Sequence, residues 1–179
     1  MVQRRLEFDM PAPAAGVFDA FHHQIWRRRW DPLVASTQIS SGADCPFVGA
    51  ETVNRGAGVL SWFEMRTRFV SFDRPKVAAA TMVGTSFPFL RWAASMRHRA
   101  CADPGRSVMT YTVNFDTVAV AARWGVQPVV LALFVAQSRR RFARLQGFLA
   151  QHAHDIVQWQ AATGAEGPSA SSQREPQTP

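Results

Sequence analysis

Between Ala35 and Phe115 the chain keeps to a period of two, and beyond Pro128 it switches to helical spacing and stays there. Few architectures satisfy that order. Alternating strands carry one apolar face that another layer must cover, and the one element long enough to cover it comes last. In "FEMRTRFVSFD", Phe63, Met65, Thr67 and Phe69 share a face, with Glu64, Arg66 and Arg68 opposite. In "FLRWAASMRHRAC", Trp92, Ala94, Met96 and His98 share a face, with Arg97 and Arg99 opposite. After the turn Asp103-Pro104-Gly105, Met109, Tyr111, Val113 and Phe115 alternate against Thr110, Thr112 and Asn114. "KVAAATMV", "STQIS" and "ETVNRGAG" read as further strands. Antiparallel strands at this spacing predict one curved sheet.

The closing helix is expected from near Pro128. Leu131, Phe134, Val135, Ser138, Phe142, Leu145, Leu149, His152 and Ile156 recur at steps of three and four. About thirty residues at 1.5 Å each reach roughly 45 Å, enough to cross a sheet diagonally. The apolar run "VAVAARWGVQPVVLALFVA" is broken by Arg123, Gln127 and Pro128. It falls short of the ~20 apolar residues of a membrane span, so it reads as a buried helix start. From Ala161 onward there is little to bury, which predicts a single domain over 1–160 and a disordered tail over 161–179.

At the other end, "QRRLEFDM" alternates Leu6, Phe8 and Met10 against Arg5, Glu7 and Asp9, the pattern of a half-buried strand. Pro11 and Pro13 end it, and Val17, Phe18 and Phe21 follow at helical spacing. A second short helix over 24–30 places Trp26 and Trp30 on one face. Arg27, Arg28 and Arg29 each advance ~100° around its axis. They are therefore expected in solvent, outside two anchored tryptophans. Asp31-Pro32 stops the helix, because the residue before proline avoids helical dihedrals.

A net charge of +7 raises nucleic acid as a partner. Nineteen of the twenty basic residues are arginine, Lys76 being the exception, and they are scattered. Such a bias is what a GC-rich bacterial genome produces, and a binding face needs clustering, so nucleic acid is not expected. Cys45 and Cys101 fit neither a disulfide framework nor a metal spacing. With no apolar leader in "MVQRRLEFDM", a cytoplasmic location is expected.

The order strand, two short helices, antiparallel strands and one long terminal helix resembles the helix-grip superfamily. That group includes START lipid-transfer domains, birch-pollen-allergen-like proteins and polyketide cyclases. The resemblance rests on "MPAPAAGVFDAF", "RRWDPLV", "VSFDRP", and "SVMTYTVNF" ahead of "SRRRFARLQGFL", and covers about residues 2 to 158. It implies an α+β fold in which a seven-stranded curved antiparallel sheet wraps the C-terminal helix around an apolar cavity. Members hold a lipid, sterol, polyketide or other hydrophobic molecule there, and some catalyse cyclisation or dehydration. Fold alone does not choose among these.

On that account the ligand-binding candidates are Phe63, Met65, Thr67, Phe69, Trp92, Met96, His98, Met109, Tyr111, Val113, Phe134, Phe142 and Leu145. Thr67, His98 and Tyr111 are the polar exceptions on the inward faces, and the lining otherwise suits a small-molecule site. His98 and Tyr111 are the catalytic candidates, as an acid-base pair or a clamp on a carbonyl. The same residues also read as satisfied core groups. His152 carries the same ambiguity, while His22 and His23 are adjacent and make a poor metal pair. No paired carboxylates, phosphate loop or nucleophile elbow is present, and neither metal nor cofactor is called for. Three functions follow as expectations: a carrier of a hydrophobic ligand, a polyketide cyclase or dehydratase, and a surface module making transient contact with a membrane or an acidic partner through the arginines and "VVLALFVA". A monomer or homodimer serves any of them.

Overall fold

The computed structural model describes residues 1–31, 34–39, 42–56, 64–118 and 125–164. The expectations for Phe63, Pro32, Arg123 and residues 165–179 lie outside the described residues.

The chain runs β1 (Val2–Met10), α1 (Ala14–His22), α2 (Gln24–Trp30), β2 (Val34–Ile39), β3 (Glu51–Gly56), β4 (Glu64–Asp73), β5 (Val77–Met82), β6 (Phe89–Ala100), β7 (Ser107–Thr117) and α3 (Val126–Thr163). It is an α+β fold. The strands form one antiparallel sheet in the order β1-β7-β6-β5-β4-β3-β2. First and last strands are therefore neighbours, with Leu6 opposite Tyr111, and Tyr111 is in turn opposite Met96 on β6. Alternation decides which residues face inward. On β7 every second residue from Ser107 to Thr117 is buried, and on β4 Met65 and Thr67 are buried while Glu64, Arg66 and Arg68 are exposed.

α3 covers the inner face near β1 and β7. Its Phe142 packs on Phe8 and Tyr111, with ring centroids 4.8 and 5.1 Å apart, and its Phe134 stacks near Tyr111. Phe18, Phe115, Phe142, Leu145, Leu149 and Ile156 are fully buried. Each such side chain contributes about 1.5–3 kcal/mol relative to an exposed one.

Two polar fasteners set α1 against its neighbours. Asp19 is wholly buried. Both its oxygens accept from Arg74 at 2.7 Å, and Oδ2 also accepts from Gln160 of α3. The indole of Trp30 donates to the Ala20 carbonyl at 2.8 Å, fixing the angle between α1 and α2.

The structure corrects three expectations. α3 begins at Val126 and spans 38 residues, so 161–163 belong to the helix rather than to a tail. It ends where Gly164 adopts φ 55°, a left-handed cap that glycine takes without a Cβ clash. The helix start is not buried all round: Val129 and Leu133, one turn apart, are 57% and 62% exposed. Arg27 is not a solvated arginine. Seven residues of helix cannot turn three consecutive side chains all outward once two tryptophans fix the inner face. Its side chain is only 13% exposed and pairs with Asp31, whereas Arg28 and Arg29 do face solvent.

Candidate functional site

The inner wall brings most of the sequence candidates together. Met65, Thr67, Met96, His98, Met109, Tyr111, Val113, Phe142 and Leu145 are buried, and Phe69, Trp92 and Phe134 are half-buried beside them. Thr67 has its own partner, the Thr52 hydroxyl at 2.8 Å, with Asn54 adjacent on β3.

His98 is different. Its backbone N–H is held by the Lys76 carbonyl, yet neither ring nitrogen has a hydrogen-bond partner among the described residues. The ring lies at the edge of an aromatic box, with Phe18 edge-on to it at 5.6 Å. Phe18 also packs on His22 and Phe72, and His22 packs on Phe69 and Phe72. Burial pushes the His98 pKa down to about 4, against a smaller upward pull from Asp19. His98 is neutral near pH 7, with one ring N–H donor and one ring acceptor. Leaving either unmet in an apolar setting costs about 1–3 kcal/mol.

His22 was legible only as a poor metal ligand. The structure makes it the second histidine of this box. Its Nδ1–H donates to the Phe18 carbonyl at 2.8 Å, and burial holds its pKa well below the ordinary value, with His98 among the smaller contributors. Phe72 was missed because strict alternation from Phe69 puts Ser71 inward. A register shift between Phe69 and Ser71 lets two residues of β4 span one step of β5, so Phe72 pairs with buried Ala78. The one available signal was the three-residue spacing of Phe69 and Phe72, which breaks the period of two.

Tyr111 has other company. Between Phe134 and Phe142, it lies close enough to Arg141 and Arg27 for both charges to act on its phenol. Burial nonetheless pushes its pKa up to about 12. The two arginines converge on Asp31. Arg27 Nε donates to Oδ2 at 3.1 Å, and Arg141 donates to the same oxygen from Nε at 3.1 Å and from Nη2. Asp31 Oδ1 is buried without a partner among the described residues. Burial raises the Asp31 pKa, but the Arg141 and Arg27 charges outweigh it and hold the carboxyl below its usual range. Both guanidiniums lie over Phe21, at 4.8 Å for Arg141 and 5.2 Å for Arg27.

His98 and Tyr111 therefore line one wall in different settings, and no hydrogen bond joins them among the described residues. Elsewhere, His152 is half-buried and bonds Asp155 at 2.9 Å at the surface. Both cysteines are free, and burial pushes the Cys45 thiol up to about 12, which makes it a poor nucleophile. Among the described residues no helix is long and apolar enough to cross a membrane, and no cluster of three or more His, Cys, Asp or Glu is arranged to hold a metal.

A sheet gripping a long terminal helix defines the helix-grip, or birch-pollen-allergen-like, fold, and comparison with solved structures bears this out. The di-domain aromatase/cyclase BexL of the BE-7585A biosynthetic pathway aligns with a TM-score of 0.70 at 10% identity. That match covers 85% of this chain and 47% of BexL. Ara h 8.0201 aligns with a TM-score of 0.60 at 15% identity, over 83% of this chain and 97% of that one. A protein from Thermobifida fusca shares 28% identity over 69% of this chain and 79% of its own length, with a TM-score of 0.53. No family model matches the chain, and no curated protein matches it.

Proposed function

We propose that the protein binds a small hydrophobic molecule, lipid-, sterol- or polyketide-like, between the inner face of the sheet and α3. One observation carries this reading: the buried His98 ring, with both nitrogens unpartnered among the described residues, on a wall of Met65, Met96, Met109 and aromatic rings. Buried polar groups in proteins almost always have partners. A ligand hydroxyl or carbonyl set against the His98 ring supplies one, while the methionines accommodate an irregular apolar body. The likeness in fold to BexL and Ara h 8.0201 supports the reading as analogy.

A cyclase or dehydratase acting in the same space is the second reading, favoured by the neutral His98 ring, which can give and take a proton. It needs His98 and Tyr111 to act on one substrate. Their separate surroundings, Phe18 and His22 against Arg27 and Arg141, favour binding over joint acid-base work. Native mass spectrometry of protein purified without detergent tests the first reading. A co-purifying species of a few hundred daltons, one per chain and released by organic solvent, is expected. Protein that stays at its bare mass, and takes up no apolar probe when one is added, contradicts it. For the second reading, H98A and Y111F should lower turnover of a polyketide-like substrate far more than its affinity.

A further inference from the structure

We propose that the Arg27–Arg141 pair at the junction of α2 and α3 receives the anionic head of the bound molecule, making the ligand an amphipathic acid rather than a neutral lipid. The inference rests on the binding function proposed above and narrows its ligand class.

Two guanidiniums meet one carboxylate, and that carboxylate spends a single oxygen on both of them. The cluster carries a net charge of about +1. It is poorly hydrated, with the side chains of Arg27, Arg141 and Asp31 only 13%, 18% and 1% exposed. Asp31 is the carboxylate whose charge acts most strongly on Arg27. Burial first, and the Arg141 charge second, push the Arg27 pKa down to about 10, against a smaller upward pull from Asp31. A brace between α2 and α3 needs one arginine for one aspartate. The second is surplus to a brace and suited to an anion.

Donors remain to meet that anion. A guanidinium has five N–H groups. Arg27 gives one to Asp31 and Arg141 gives two, and the others have no partner among the described residues. The Tyr111 hydroxyl likewise has no hydrogen bond among the described residues. It feels both arginine charges, so it belongs to the same cluster while its ring sits on the inner wall between Phe134 and Phe142. Tyr111 thus connects the cationic cluster to the apolar wall. A molecule lying along that wall, with a hydroxyl or carbonyl set against His98, brings its anionic head to the guanidinium pair, where charge-assisted bonds are strongest.

The test compares three twelve-carbon probes, dodecanoate, dodecyl phosphate and dodecan-1-ol. Each is titrated at submicellar concentration and pH 7.5 into the full chain and followed by calorimetry or tryptophan fluorescence. At least one acid should bind about tenfold or more tightly than the alcohol, and the better of the two tells a carboxylate head from a phosphate one. R141Q should bring the affinity for that acid down to the alcohol's level. Equal affinity of wild type for all three probes, or an acid preference that survives R141Q in a folded protein, overturns the anionic head and leaves the apolar binding function standing. Binding of none of the three removes both. The wild-type comparison decides the matter even if R141Q does not fold.

Discussion

The His98 ring is buried with neither nitrogen partnered among the described residues. Replacing a buried, unpartnered ring by leucine removes polar atoms that have nothing to bond. H98L should leave the ligand-free protein as stable as wild type, or more stable by about 1 kcal/mol, while weakening uptake of any hydroxyl- or carbonyl-bearing ligand. Urea unfolding of both proteins checks this, and a loss above about 2 kcal/mol would mark His98 as a packed structural group instead. Protonation gives a second handle. The folded-state pKa values of His98 and His22 lie below the unfolded value near 6.5. Between pH 6.5 and about 4 the unfolded chain therefore binds more protons than the folded one, and stability falls as the pH is lowered through that window. The His98 share is on the order of 3 kcal/mol. It should level off below about pH 4, and H98L should flatten the slope in proportion. A stability profile unchanged from pH 7 to 4 would contradict the buried, neutral assignment.

At the scale of elements, α1 is held by charge as much as by packing. Arg74, in the turn from β4 to β5, closes on both oxygens of the buried Asp19, and Gln160 reaches the same carboxylate from α3. R74A strands that carboxylate in the interior and should cost about 3 kcal/mol, with D19N/R74Q, which removes both charges, costing less than R74A alone. Thermal melts of the two variants decide it, and near-equal loss would mean that packing alone holds α1. The sequence made the sheet and α3 legible because alternation and the 3.6 period survive in exposed and buried positions alike. It did not show the fasteners, since Asp19, Arg74 and Gln160 are far apart in the chain and join three elements. The Arg27 error has the same origin. A helical wheel says that three arginines fan out, but only the position of α3, with Arg141 facing α2, says which of them is trapped. Phe72 shows the opposite limit, a local register shift that alternation cannot anticipate. Phe87, just ahead of β6, and Leu90, its second residue beside another register shift, are 65% and 45% exposed, which alternation likewise cannot anticipate.

Across the whole molecule the two faces of the sheet divide the labour. The outward faces carry paired charges such as Arg68 with Glu51 and Arg55 with Glu64, which fix little energy and face water. The inward faces hold methionines, aromatic rings and a few polar side chains, some tied to protein and some not. Thr67, bonded to Thr52, is of the first kind and His98 of the second. T67V should therefore leave ligand affinity nearly unchanged while H98L lowers it, and titration of one probe into both variants makes the comparison. Uptake of an apolar molecule between the sheet and α3 is the property proposed for the molecule as a whole. It is tested most directly by titrating the uncharged fluorophore N-phenyl-1-naphthylamine into the full chain. A saturable blue-shifted emission with one site per chain and micromolar affinity, displaced by a competing lipid, is the predicted result. Fluorescence that rises without saturation, or not at all, while the protein remains folded, would contradict it.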